Sequence, residues 1–198
     1  MNYLSGIVED VVSGKGDSDK HLMTLFSIAL STNSKKMLEL GVRNGKTTLP
    51  LLVAAKYNSG FLTSVDINDT NFVPPKELKK YHEFKKSDAI EYLNNCNDGP
   101  YDLIYIDDWH SYQHVKKELE IIDRLVSPRT VILLHDLMYG NYHPHYHTDL
   151  TLKSGQWAEG GPYRAVAELD PQFWEFSTIP VNNGLTILRK KYSNLFYS

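Results

Sequence analysis

The sequence of 198 residues has a single cysteine, Cys96, and so it excludes an intrachain disulfide. It also has no apolar run of the roughly 18 residues that a bilayer-spanning helix needs. The first ten residues show no basic stretch followed by an apolar one, so we expect no signal peptide. These absences predict a cytoplasmic protein in a reducing compartment, without a membrane partner.

An excess of positive charge is absent as well. Lysine and arginine number 21 against 24 acidic residues, for a net charge of -3, and the lysine pairs are scattered. Nucleic-acid binders usually carry a basic face, so we expect no nucleic-acid partner. Hydrophobic residues make up 41% of the chain, enough for a real core. The length predicts one domain over residues 1–198.

Short β-branched runs alternate with amphipathic helical stretches along the chain. This alternation predicts a mostly parallel sheet flanked by helices. An Asn-Asn-Gly turn at 182–184 predicts that the last two strands form an antiparallel hairpin. The sequence therefore predicts a Rossmann-like, doubly wound α/β fold with a seven-stranded sheet. The predicted strands are 37–40, 61–66, 83–86, 101–107, 130–134, 173–181 and 185–189.

Helices are predicted between these strands from apolar residues at helical spacing. Asp17, Ser18 and Asp19 are candidate N-caps for a helix through residues 22–30. Pro74 and Pro75 are expected to begin a short helix. Further helices are predicted from about residue 47 and over 89–94, 111–125 and 163–169.

The carboxyl ends of the predicted strands, where open α/β sheets bind ligands, carry polar side chains. The first strand runs into a turn, Glu-Leu-Gly-Val-Arg-Asn-Gly at 39–45, whose glycines permit a sharp bend and a close approach to a ligand. The turn has three residues between its glycines where a Walker motif needs four, and it also fails the dinucleotide fingerprint. A loop that merely needs two glycines is the alternative interpretation.

Two aspartates follow the next strands. Asp66 closes the second strand about 25 residues after the glycine turn, where a carboxylate can accept hydrogen bonds from ribose hydroxyls. We expect it to lie beside that turn, and it indicates a nucleoside without saying which one. Asp88 can accept a hydrogen bond from an adenine amino group or simply cap a helix.

In order and spacing, these strand ends resemble class I S-adenosylmethionine (SAM)-dependent methyltransferases over about residues 35–136. The resemblance implies SAM as the cofactor, with Glu39 near its methionine end, Asp66 on its ribose and Asp88 at its adenine. The closing hairpin separates this family from NAD-binding domains, although an NAD(P)-dependent oxidoreductase stays an alternative. The cofactor-site residues so implied are Glu39, Gly41, Asn44, Gly45, Thr47, Asp66, Ile67, Ser87, Asp88, Ala89 and Asp107.

A second polar cluster, Asp-Asp-Trp-His-Ser-Tyr at 107–112, follows the fourth strand, and His135 and Asp136 end the fifth. Neighbouring strands would bring Asp107 and Asp136 to one cavity, where two carboxylates and a histidine can hold a divalent cation. The cluster resembles the Asp-x-Trp-Lys stretch of catechol-type, Mg-dependent O-methyltransferases and the Ile-Asp-x-x-His-x-Tyr pattern of a bacterial methyltransferase group. This resemblance implies that Asp107, His135 and Asp136 bind Mg²⁺ or Mn²⁺, although His135 replaces a carboxylate.

The catalytic residues implied are Asp107 and His110, where His110 stands in place of the lysine base. An unperturbed histidine titrates near 6.5 and can take a proton from an acceptor. Three interpretations stay open: metal-assisted catalysis, metal-free base catalysis, and a purely structural cluster in a non-catalytic binding module. The Asn-Pro-Pro-Tyr-type motif of amino-group methyltransferases is absent, which favours a hydroxyl acceptor on a small molecule or glycan.

Residues 138–162 form a long irregular stretch rich in His, Tyr and Gly, which predicts a lid or acceptor loop. Its His143, His145 and His147 alternate, but no further ligand pair completes a zinc site, so we interpret them as a polar lining. Trp157 and Tyr163 can pack either on the acceptor or in the core. A homodimer that orders this loop is left open.

Overall fold

The structure, a computed structural model, describes residues 3–138 and 154–191. Within these ranges the chain forms seven β-strands and six α-helices. The strands are β1 (Lys36–Leu40), β2 (Phe61–Asp66), β3 (His82–Lys86), β4 (Leu103–Ile106), β5 (Val131–His135), β6 (Trp174–Ile179) and β7 (Leu185–Lys190). The helices are α1 (Tyr3–Ser13), α2 (Leu22–Ser31), α3 (Thr48–Asn58), α4 (Ala89–Asn95), α5 (Tyr112–Ile122) and α6 (Gly161–Ala167).

All seven strands belong to one sheet in the order β3-β2-β1-β4-β5-β7-β6. Strand β7 runs opposite to the other six, because it pairs antiparallel with both β5 and β6. The predicted doubly wound sheet with a closing antiparallel hairpin is therefore confirmed. The chain winds outward from β1 to β3 and then returns to β4, so the strand order reverses between β1 and β4. Ligands bind at such a reversal, outside the carboxyl ends of the strands.

The two faces of the sheet are covered by different helices. Side chains of α2 and α3 pack on one face, and side chains of α4, α5 and α6 pack on the other. Along β4, Leu103 and Tyr105 enter the first layer while Ile104 and Ile106 enter the second. This strand is buried on both sides, as its continuous run of bulky residues predicts. No helix in the described ranges is long and apolar enough to cross a membrane.

Two local predictions are wrong. Helix α2 begins at Leu22 after a 3₁₀ turn at Asp19–His21 and has no side-chain cap. Asp19 does not cap α2, because its carboxylate accepts a hydrogen bond from the Gly16 N–H at 2.8 Å. Pro74 and Pro75 lead into a turn and a 3₁₀ segment, not an α-helix. Here i→i−3 hydrogen bonds such as Leu78 N–H to the Pro75 carbonyl prevail, and among the described residues of this segment only Lys79 N–H also reaches the Pro75 carbonyl as in an α-helix.

Helix ends differ by a few residues from their predicted positions. Helix α5 ends at Ile122, three residues before the predicted end, and α6 spans Gly161–Ala167, two residues earlier than expected. Part of the stretch predicted to be irregular is thus helical. The remainder of that loop, residues 139–153, lies outside the described residues, and so do His143, His145 and His147.

Candidate cofactor and catalytic site

Two adjoining cavities open where β1 and β4 end. Their volumes are about 410 and 770 Å³, both within the range of small-molecule sites. We call them the smaller and the larger cavity. Both are lined by the stretch Gly41–Arg43 and by Asp107 and Asp108, so they share a wall and form one cleft.

The glycine turn after β1 forms part of that shared wall. Gly41 has a φ of 89°, and an added Cβ would lie 2.2 Å from the backbone oxygen of Asp107. The two strand ends are held together here, since the Asp107 N–H donates to the Leu40 carbonyl at 2.8 Å. Only glycine fits between them, and its lack of a side chain leaves the cleft open at this point.

Asp66, at the end of β2, lies beside this turn as expected. One carboxylate oxygen accepts hydrogen bonds from the N–H groups of Val42 and Arg43, each at 2.9 Å, and the other accepts from the Asn68 N–H at 2.8 Å. The carboxylate therefore fixes the conformation of the turn while lining the smaller cavity. Each oxygen has two lone pairs, so Oδ1 retains the capacity to accept one hydrogen bond from a ribose hydroxyl.

The far wall of the smaller cavity comes from the start of α4. The Asp88 side chain caps this helix by accepting a hydrogen bond from the Glu91 N–H at 2.9 Å, and it also faces the cavity. Both interpretations of Asp88 are thus compatible with its position. Predicted residues Ile67, Ser87 and Ala89 line the same cavity, together with the half-exposed Trp109.

Glu39 requires a correction, because it is fully buried and lines neither cavity. Its carboxylate accepts hydrogen bonds from the hydroxyls of Thr47 at 2.8 Å and Ser64 at 2.6 Å. Burial raises its pKa to about 7, although the two hydroxyls act in the opposite direction. Thr47 does line the larger cavity, as does Asn44. Glu39 therefore supports the site by orienting Thr47.

Gly45 also lies away from both cavities. Its φ is 76°, and an added Cβ would lie 2.3 Å from the Phe72 ring. The close approach that this glycine permits is therefore to an aromatic side chain, and the predicted contact with a cofactor is not supported by its position.

Four ionisable groups meet at the floor of the larger cavity. His110 Nε2 lies 2.8 Å from Asp136 Oδ2 and 3.4 Å from Asp107 Oδ1. His135 Nδ1 lies 3.3 Å from Asp107 Oδ1 and 3.2 Å from Asp136 Oδ1. These two His135 contacts lack hydrogen-bond angles, so we treat them as electrostatic. The predicted meeting of Asp107 and Asp136 is confirmed.

The charges in this cluster stabilise one another. Burial raises the pKa of Asp107, but the His135 and His110 imidazoles more than offset it, and the net pKa lies below the usual value. The same balance lowers the pKa of Asp136 to about 2. Burial lowers the pKa of His110, yet Asp107 and Asp136 raise it overall to about 9, and they raise that of His135 as well. Without a metal, these pKa directions favour ionised carboxylates and protonated imidazoles in the cluster.

The candidate ligand set for a cation differs from the predicted one. Single ligand atoms of Asp107, His110 and Asp136 lie within 4.8 Å of one another, and all three residues line the larger cavity. His135 lines neither cavity, and its Nε2 lies 2.9 Å from the backbone oxygen of Asn182. His110 therefore takes the place of His135 in the candidate ligand set. His135 lies beneath the two carboxylates and compensates their charge.

The segment Lys15–Asp19, between α1 and α2, forms one wall of the larger cavity. This wall was not predicted from the sequence. Ser18 Oγ lies 3.5 Å from Asp107 Oδ2, and Asp17 pairs with Arg43 at 3.2 Å. The available signal was the polar, glycine-containing sequence at 14–19, which we interpreted as a source of helix caps.

The opposite wall contains Gln156 and Trp157. The Trp157 ring stacks on His110 with centroids 4.6 Å apart, and the Gln156 amide lies 2.7 Å from His110 Nδ1. Of the two aromatic residues whose role was left open, Trp157 therefore belongs to the cleft. Tyr163 is exposed and lines neither cavity.

Sequence comparison agrees with this geometry. A family described as a methyltransferase domain matches residues 38–137, half of the chain. The chain belongs to this methyltransferase domain family. The matched residues include the last three residues of β1, the glycine turn, Asp66, Asp88 and the 107–112 cluster, and extend through Asp136. The curated proteins give no match.

Solved structures share the fold of this methyltransferase domain. An O-methyltransferase from Bacillus cereus in complex with S-adenosylhomocysteine (SAH) has a TM-score of 0.68 at 17% identity, covering 95% of this chain and 90% of its own. An SAH-bound methyltransferase from Podospora anserina has a TM-score of 0.67 at 18% identity, covering 97% and 89%. A methyltransferase from the mycinamycin biosynthetic pathway, in complex with Mg and SAH, has a TM-score of 0.63 at 17% identity, covering 90% and 51%.

Membership in the methyltransferase domain family favours SAM over a nicotinamide cofactor. It agrees with the failed dinucleotide fingerprint in the glycine turn. The family match extends over both cavity-lining strand ends, so the described cleft is the part of the chain in which the family's chemistry is to be sought.

Proposed function

We propose that the protein is a SAM-dependent O-methyltransferase that acts on a hydroxyl of a small molecule or glycan. The observation that carries this proposal is the two-part cleft at the strand-order reversal of a methyltransferase domain. The smaller cavity has the size and the carboxylates for a nucleoside, and the larger one has room for an amino-acid chain and an acceptor. The SAM- and SAH-bound neighbours support the same choice of cofactor.

Each part of SAM has residues in the cleft that could bind it. Asp66 would bind the ribose, Asp88 and Trp109 would contact the adenine, and Asn44 and Thr47 would face the methionine end. When bound, SAM supplies a methyl group that is already activated on a sulfonium. The protein's own tasks are then to align the acceptor oxygen and to remove its proton.

Asp107, His110 and Asp136 lie where an acceptor entering the larger cavity would meet them. Asp107 and Asp136 raise the pKa of His110 to about 9, which favours its protonated form at neutral pH and disfavours it as the base. We therefore favour metal assistance, in which these three residues hold Mg²⁺ or Mn²⁺. A divalent cation there would orient the acceptor hydroxyl and lower its pKa. The Mg found in one neighbour supports this choice.

Calorimetry with SAM and SAH tests the proposal. We expect both to bind with a dissociation constant in the micromolar to sub-millimolar range, and NADH not to bind. The titration with SAH is then repeated in Mg²⁺, and the Asp136→Asn variant serves as the metal-site control. A folded protein that binds NADH and not SAH would contradict the proposed function. SAH binding without any effect of Mg²⁺ would contradict only the proposed metal site.

Other sequence-based expectations accompany the proposal. They are a cytoplasmic location, no nucleic-acid or membrane partner, and a homodimer as an open alternative. The location and the absent partners stay predictions from composition and charge, and the homodimer stays an alternative suggested by the long loop at 138–162.

A further inference from the structure

A second cluster of two carboxylates and a histidine lies on the other side of the β4–α5 connection. His114 Nε2 lies 2.9 Å from Asp108 Oδ2 and 3.6 Å from Glu118 Oε1. One ligand atom of each residue lies within 4.8 Å of the other two. Asp108 and His114 line the smaller cavity, and Glu118 lies one helical turn beyond His114 on α5.

Glu118 is the unusual member of this cluster. It has no exposed surface, and neither of its carboxylate oxygens accepts a hydrogen bond within the described residues. The buried Oδ1 of Asp108 lacks a hydrogen-bond partner as well. A buried carboxylate without hydrogen-bond donors is costly, and within the described residues only the ion-pair contact with His114 at 3.6 Å offsets the lost hydration of Glu118. Burial accordingly raises the pKa of Glu118 to about 8.

We propose that Asp108, His114 and Glu118 form a binding site for a divalent transition-metal cation, separate from the cluster around Asp107. Zinc ligands of this kind bind at about 2.0–2.2 Å in a tetrahedron, which sets neighbouring ligand atoms about 3.3 Å apart. The two distances from His114 Nε2, 2.9 and 3.6 Å, lie on either side of that value. These two separations are compatible with tetrahedral ligation, and the Asp108 and Glu118 ligand atoms lie within 4.8 Å of each other.

The site has an open side as well. Asp108 and His114 face the smaller cavity, so a water molecule or a ligand atom could supply the fourth coordination position. The cation would neutralise Glu118 and link the loop after β4 to helix α5. Since that loop also carries Trp109, the ion would stabilise the wall of the smaller cavity.

Zinc titration of the whole chain tests this inference. The protein is stripped of metal with a chelator, and the zinc bound per chain is measured by calorimetry and native mass spectrometry. We expect His114→Gln and Glu118→Gln each to remove one zinc ion per chain or to weaken it at least about tenfold. Glu120→Gln is the matched control, because Glu120 lies on the same helix with an exposed side chain.

The same pair of substitutions is made in an Asp136→Asn background, which disables the first candidate site. The zinc ion that depends on His114 should persist in that background and should raise the melting temperature, since it binds only the folded chain. An unchanged zinc count and affinity in both His114→Gln and Glu118→Gln would overturn the proposal, as would a stripped wild-type protein that binds no zinc. Neither result bears on SAH binding, so the proposed function is judged separately.

Discussion

Gly45 is in contact with the ring of Phe72, where an added Cβ would lie 2.3 Å from the ring, and its φ is 76°. We therefore expect Gly45→Ala to lower the free energy of unfolding by about 2 kcal/mol or more, from backbone strain plus overpacking. Gly155→Ala is the matched control, since Gly155 also has a positive φ, of 96°, but no atom of the described residues lies within 4 Å of an added Cβ. It should cost only the strain, about 1 kcal/mol.

Urea denaturation gives the free energy of unfolding of both variants. The difference between their losses is the cost of overpacking against Phe72. Equal losses for Gly45→Ala and Gly155→Ala would contradict the assigned contact with Phe72. SAH affinity in folded Gly45→Ala should stay close to the wild-type value, because Gly45 lines neither cavity.

Side chains alternate between the two faces of a strand, and this explains why Glu39 and His135 do not line the cleft. Their positions at strand ends had led us to assign them to it. Glu39 in β1 is paired with Tyr105, and His135 in β5 follows Leu133 by two residues. Tyr105 and Leu133 both enter the layer beneath α2 and α3, so Glu39 and His135 face that layer too. The sequence placed both residues at strand ends near the site. The face of the sheet to which each side chain points follows from the two-residue alternation along a strand. His110 was predicted as a base, and only the folded loop brings it within 2.8 Å of Asp136.

At the scale of elements, helices α4 and α5 both begin with a side-chain cap. Asp88 accepts a hydrogen bond from Glu91 N–H, and Ser111 accepts one from His114 N–H. Alanine at either position should lower the free energy of unfolding by about 1 kcal/mol. Only Asp88 lines the smaller cavity, so Asp88→Ala should also weaken SAH binding by about three- to tenfold, whereas Ser111→Ala should not.

Thermal unfolding and SAH calorimetry on the two variants check this expectation. If Asp88→Ala lost stability but kept full SAH affinity, Asp88 would be a helix cap alone and the adenine contact would be withdrawn.

The elements themselves were largely predictable, because buried strands have continuous bulky residues and the Asn-Asn-Gly turn fixes the hairpin. The absence of a side-chain cap on α2 was not predictable. Asp19 instead accepts a hydrogen bond from a backbone N–H of its own loop, and its side chain lies 3.6 Å from Lys46 Nζ. Competition of this kind between a cap and a tertiary contact has no signature in local sequence.

At the scale of the whole molecule, the order of strands determines where the cleft lies. Alternating strands and helices predicted the doubly wound sheet, and the reversal between β1 and β4 brings Gly41 against Asp107. The segment Lys15–Asp19 lies across the larger cavity through contacts with residues far away in the chain. Such long-range packing could not be predicted from local sequence, so that wall was missed.

We propose that the two cavities together hold one SAM-like ligand, with its nucleoside beside Asp66 and its amino-acid end towards Asp107. A crystal structure of the complex with SAH tests it most directly. We predict a ribose hydroxyl at hydrogen-bond distance from the Asp66 carboxylate, about 2.7 Å, and the SAH sulfur in the larger cavity facing Asp107 and His110. SAH bound elsewhere, or with its ribose away from Asp66, would contradict the account.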